Sequence, residues 1–113
     1  MKTIHKYLLP AIGDLGSVRL PQGAEILKVG FQGPGDHACI WVKVDDSARF
    51  TERWFYIAGT GWNLDEVGNG WVSVLEHIDT VQHGSMVWHF FEVKDREMGP
   101  AYALTAVGGG ANL

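Results

Sequence analysis

Cysteine is nearly absent from this sequence. Cys39 stands alone among 113 residues, so no internal disulfide can form and the fold must be held by its core. That usage suits a reducing compartment, and Cys39, inside an apolar stretch, reads as a small hydrophobe of a strand rather than a nucleophile. Charge is sparse, with 19% charged residues and a net charge of −4, and no basic run exists. Lys2, Lys6, Arg19, Lys28, Lys43, Arg49, Arg53, Lys94 and Arg96 fall singly or in loose pairs among acidic or apolar neighbours, which argues against a partner made of duplex nucleic acid. No apolar run reaches the roughly 18 residues that span a bilayer, and Tyr7 to Ile12 is too short and too interrupted by Pro10 for a signal peptide. A soluble protein that starts near Met1 and does not use a membrane is the expectation.

Catalytic and cofactor motifs are missing as well. The five histidines form no compact His/Cys pair of the kind that holds zinc, so neither a metal nor another cofactor is expected. His77, His83 and His89 are spaced six apart, and whether His77 faces His89 depends on the length of the hairpin loop near His83. His89 and Glu92 are offset by three, which puts them on opposite faces of a regular strand. His89 then reads as a half-buried hydrogen-bonding residue and Glu92 as a cap on the exposed end of the strand. Ser17, Ser47, Ser73 and Ser85 lie in no nucleophile-elbow context, so no catalytic residue is assigned.

What the chain has in abundance is aromatic surface. Five Trp, five Phe and three Tyr are more than a core of this size readily absorbs, and 46% hydrophobic residues place the chain among folded single domains. Alternation with period two, rich in β-branched and aromatic residues, predicts an all-β fold: a small antiparallel barrel or sandwich of about six to eight strands over residues 1–97, followed by a poorly ordered or partner-packing tail over 98–113. Strands are predicted at Thr3 to Leu9, Ser17 to Leu20, Glu25 to Gln32 and Ala38 to Val44, the last two forming a hairpin across Gly33-Pro34-Gly35-Asp36. Further strands are predicted at Thr51 to Ala58, Trp71 to Val81 and Ser85 to Val93, the last pair a hairpin across Gln82-His83-Gly84. A helix over Asn63 to Ile78 is the competing reading, opposed by Gly68, Asn69 and Gly70. In the third strand Leu27, Val29 and Phe31 should share one face. In the fifth strand Trp54 and Tyr56 point one way and Arg53, Phe55 and Ile57 the other, so both faces are apolar and a homo-oligomer is expected, with Trp41, Trp54, Phe55 and Tyr56 as interface candidates.

Several short strings occur in a fixed order: Lys6-Tyr7-Leu8-Leu9, Leu20-Pro21-Gln22-Gly23-Ala24-Glu25-Ile26-Leu27, Cys39-Ile40-Trp41, Gly59-Thr60-Gly61 and Val87-Trp88-His89-Phe90-Phe91-Glu92. Together they resemble a family of short, uncharacterised proteins found mostly in bacteriophages and prophages, over about Thr3 to Glu92. The resemblance implies a β-rich accessory protein made in the cytoplasm of an infected bacterium. Family members often carry His after the Gly-Thr-Gly turn, where this chain has Trp62, so a histidine acid, base or metal ligand at that turn is not implied here.

The best ligand-site candidate is the loop after the fifth strand. Gly59, Thr60 and Gly61 offer backbone N–H groups beside a hydroxyl, Trp62 offers a stacking plane, Asn63 an amide, and Arg53 is near in sequence. The loop lacks the Lys and helix start of a P-loop, and a tight turn with a packed Trp62 is the alternative. The reading that follows is binding rather than catalysis: a counter-defence or host-takeover protein that sequesters a small nucleotide signal or occupies a host protein. A virion assembly module and a small hydrolase using His77 or His89 are the alternatives.

Overall fold

The computed structural model describes residues 1–65, 67 and 74–94. Seven strands are present among them: β1 (Lys2–Leu8), β2 (Gly16–Pro21), β3 (Glu25–Gln32), β4 (His37–Asp45), β5 (Phe50–Gly59), β6 (Val74–His83) and β7 (Met86–Lys94). They form two antiparallel sheets, one in the order β1-β4-β3 and the other β2-β5-β7-β6. The all-β expectation holds, and of its two architectures the open sandwich is the one formed. The tail over 98–113 and the segment 71–73, read above as the start of a strand, lie outside the described residues. Val74 to His83 is strand, so the helical reading of Asn63 to Ile78 fails where it can be checked.

Alternation builds the core. Val29, Ile40, Val42 and Val44 face inward from the three-stranded sheet and meet Leu20, Phe55, Ile57 and Phe90 from the four-stranded sheet. Phe55 and Phe90 are 1% exposed, and truncating such a side chain to Ala costs about 3–5 kcal/mol. Phe55 is therefore core and not interface, because alternation along β5 turns it inward beside Ile57 while Trp54 and Tyr56 stay half-buried on the outer face. This removes half of the argument for self-association.

Two bulges reset the alternation. In β3, Ile26 pairs with Val42 and Lys28 with Trp41, leaving Leu27 as an extra residue that is 47% exposed. Ile26, Val29 and Phe31 rather than Leu27, Val29 and Phe31 therefore pack on the core, since one inserted residue inverts the phase of a strand. In β6 the register shifts between His77 and Asp79, and Ile78 is the residue that packs inward.

Among the described residues, one ion pair sits inside the sandwich. Glu92 is 4% exposed and receives a forked pair of hydrogen bonds from Arg53, Nε to Oε2 at 2.7 Å and Nη2 to Oε1 at 2.8 Å. Arg53 Nη1 donates to the carbonyl of Ala24, just before β3, so one guanidinium ties β7 of one sheet to the other sheet. Glu92 is thus no cap on an exposed strand end: it lies on the opposite face from His89, as the offset of three implied, and that face turns inward to the half-buried Arg53. Burial by itself pushes the Glu92 carboxyl up, and the Arg53 fork, helped by Lys94, outweighs it and holds the carboxyl below the ordinary glutamate value. A carboxylate lowered in the folded state contributes stability that is present above its unfolded pKa and is lost as pH falls through the folded one. Glu92→Gln should cost about 3 kcal/mol at neutral pH, at the lower end for a broken buried pair because Arg53 keeps 21% of its side chain exposed. Urea midpoints measured against pH should show the gap between wild type and variant closing in acid, below the ordinary glutamate value.

Candidate functional site

The loop leaving β5 is a tight turn. Trp62 N–H donates to the Gly59 carbonyl at 3.2 Å and Gly61 has a φ of 86°, the hydrogen bond and positive third-residue φ of a type II turn, which glycine adopts without a Cβ clash. Gly59 is required for a different reason: a Cβ there would stand 2.8 Å from Trp62 Nε1. The indole also reaches Gly13, where a Cβ would lie 3.3 Å from Cζ3, and meets Trp88 edge-on with centroids 6.0 Å apart. The Gly13 N–H is itself bonded to the Ile57 carbonyl at 2.9 Å. Trp62 is thus packed across the end of the sandwich while 44% of it remains exposed.

Beside this turn lies a cleft of about 250 Å³ lined by Ala58, Thr60, Trp62, Leu64, His89 and Phe91 together with the two turn glycines. It forms because β5 pairs with β7 in a register that sets Ala58 opposite His89 and Gly59 opposite Trp88, bringing the turn over the outer face of the four-stranded sheet. Of the residues predicted for a site, Gly59, Thr60, Gly61 and Trp62 do meet here. Asn63 does not line the cleft; its Oδ1 accepts from the Asp65 N–H at 2.8 Å, an Asx turn that shapes the loop. Arg53 is six residues along the strand, about 20 Å away, with its guanidinium committed to Glu92. Trp41 belongs to the other sheet.

A polar chain crosses the cleft wall. Thr60 Oγ1 lies 2.7 Å from His89 Nε2, His89 Nδ1 lies 3.0 Å from Thr80 Oγ1, and Thr80 Oγ1 lies 2.9 Å from His77 Nε2. Two proton arrangements satisfy every member. In one, Thr60 O–H donates to His89 Nε2, His89 Nδ1–H to Thr80, and Thr80 O–H to His77. In the other every bond is reversed, with His77 Nε2–H donating at one end and His89 Nε2–H at the other. The half-buried His89 is thus a hydrogen-bonding residue, as its sequence position suggested.

His77 reaches the same face as His89 only through the bulge. The turn is Gly84-Ser85, with His83 opposite Met86, and a regular ladder counted from it would place His77 on the core side. The shift between His77 and Asp79 instead sets His77 opposite Phe91, where the two rings meet at 5.7 Å. Thr80 and Phe91 were not singled out by the sequence; the spacing of the histidines was the available signal, and the bulge that gives it meaning has no motif of its own.

Among the described residues no cluster of three or more His, Cys, Asp or Glu could hold a metal ion, and no helix is long and apolar enough to cross a membrane. The model of one protein family, a domain of unknown function (DUF7352), matches residues 1–100. No curated protein and no solved structure matches the chain.

Gly59→Ala should displace Trp62 and lower stability by about 2 kcal/mol, and Trp62→Ala should lower it by about 1–2 kcal/mol, less than a fully buried Trp because of its exposure. Chemical denaturation would check both, and an unchanged midpoint for Trp62→Ala would mean that the indole does not hold the end of the sandwich.

Proposed function

The chain belongs to the DUF7352 family, and from the geometry of its cleft we propose that it is a binding protein for a small planar ligand with hydrogen-bonding edges, such as the base of a nucleotide signal. The observation that carries this reading is the composition of the cleft wall. Phe91, Leu64 and the edge of Trp62 supply apolar surface, and Thr60 and His89 supply a donor and an acceptor that can exchange roles. Reversible roles suit a heterocycle whose edge carries both kinds of group. No Lys or Arg lines the cleft, so a phosphate on such a ligand extends towards solvent, and affinity comes from the base. An accessory protein of a bacteriophage, working in the infected cell by withdrawing such a signal, is the setting we propose on the strength of the sequence resemblance.

One observation favours a second reading, a small hydrolase. Thr60 Oγ1 at 2.7 Å from an imidazole nitrogen, with the other nitrogen held by Thr80, has the spacing of a nucleophile, its base and an orienting group. Binding is preferred because the orienting group is a hydroxyl rather than a carboxylate, and the chain of bonds runs on to a second imidazole.

Self-association stands as a proposal on narrower ground, the outer face of the four-stranded sheet that carries the half-buried Trp54, Tyr56 and Phe91.

Native mass spectrometry of protein purified without denaturation should show a bound molecule of nucleotide mass. Phe91→Ala and His89→Ala should each lower its occupancy tenfold or more without altering the fold, since both side chains lie on the outer face of the sheet. A product mass in place of the added nucleotide would favour the hydrolase reading, and no bound molecule from any host extract would remove the binding one.

A further inference from the structure

The three-stranded sheet carries a surface that the linear sequence conceals. Its inward residues are Ile40, Val42 and Val44 on β4, so the alternating positions Trp41 and Lys43 face outward, and the register carries this to its neighbours. Lys6 of β1 and Lys28 of β3 are the direct cross-strand neighbours of Trp41, one on each side, and Ile4 lies opposite Lys43. With Lys2 at the end of β1, four of the nine basic residues of a chain with net charge −4 stand on one face. Lys43 is shared with Glu25 at 3.3 Å, and Lys6 Nζ donates to the neutral Gln32 Oε1 at 2.7 Å, which leaves its charge uncompensated. Lys2 and Lys28 have no ion-pair partner among the described residues.

Trp41 has an unusual place between these lysines. Its ring extends over Gly30, where a Cβ would lie 3.8 Å from Cζ3, and Gly30 and Cys39 on the same face are both buried. The half-buried indole therefore lies along the sheet, between the cross-strand positions of Lys6 and Lys28. On the adjacent strand Ile4 and Leu8 are 58% and 61% exposed and point the same way.

We propose that this outer face, centred on Trp41 with Lys2, Lys6, Lys28 and Lys43, binds single-stranded nucleic acid. The partner must carry repeated negative charge and planar groups at close spacing, and a single strand has both. A duplex keeps its bases stacked inside and presents none to Trp41, and a flat sheet face does not enter a groove. A lipid surface would use the lysines but give the recumbent indole nothing to stack on. The face is about 20 Å long, room for a few nucleotides, with the aliphatic side chains of β1 against bases and sugars. It lies on the other layer from the cleft, so the two sites stand or fall separately.

Fluorescence anisotropy of a labelled oligothymidylate of about twelve residues tests this at low and moderate salt. The wild type should bind, and Lys6→Glu with Lys28→Glu should weaken binding at least tenfold and flatten the log–log salt slope by about 1.4, from two lost phosphate contacts at roughly 0.7 each. Trp41→Leu should weaken binding about tenfold. Both lysines are exposed, so the double variant should melt as the wild type does, and it decides the matter by itself if Trp41→Leu unfolds. Equal binding by wild type and double variant, equal binding of the same sequence as a duplex, or wild type that ignores the oligonucleotide and sediments with phosphatidylserine vesicles would each overturn the proposal.

Discussion

The Arg53–Glu92 pair is the constraint on which the rest depends. A carboxylate with 4% exposure is costly to bury unless its charge is matched, and the Arg53 fork matches it while its third nitrogen reaches the Ala24 carbonyl of the other layer. This polar clamp admits few alternatives: slipping β7 against β5 by one residue would turn Glu92 to the outer face and strand the arginine. With the register fixed at that end of the two strands, the other end is fixed too. Gly59 then falls opposite Trp88 and Ala58 opposite His89, and the turn that follows is delivered to the imidazole.

The cleft is therefore a consequence of sheet register combined with two small local devices. A positive-φ glycine closes the turn, and a Cβ-free Gly59 lets the indole of Trp62 lie against the strand end. The bulge between His77 and Asp79 brings a second imidazole onto the outer face and at the same point turns Ile78 into the core. Functional geometry and core packing are coupled there: a regular ladder with the same residues would set Ile78 opposite Phe91 on the outer face and His77 opposite Glu92 on the inner one. The polar chain through Thr60, His89, Thr80 and His77 is built of hydroxyls and imidazoles, in contrast to the carboxylate–guanidinium pair farther along β5 and β7.

The two sheets have different outer faces. One carries aromatic rings and a hydroxyl–imidazole network, the other lysines around one tryptophan. A chain with net negative charge can still present a positive surface, because a sheet gathers every second residue of three strands onto one plane while the acidic residues among those described occupy turns, strand ends and the other layer.

The sequence by itself determined the strands. Period-two alternation and the turn glycines located β3 at Glu25–Gln32 to the residue, and they put β1, β2, β4 and β5 within a residue or two of their bounds. This was legible because one-sided burial and turn stereochemistry are local properties. The sequence also singled out Gly59-Thr60-Gly61-Trp62 and placed His89 and Glu92 on opposite faces. Only the tertiary structure decided that Phe55 is core, that Arg53 serves Glu92 and not the turn, and that Lys6, Trp41 and Lys28 lie side by side. It also decided that His77 and His89 share a wall. Each of these depends on cross-strand register or on a bulge, and both are set by the fit of one sheet against the other, a quantity summed over residues distant in the chain that no short stretch of sequence encodes.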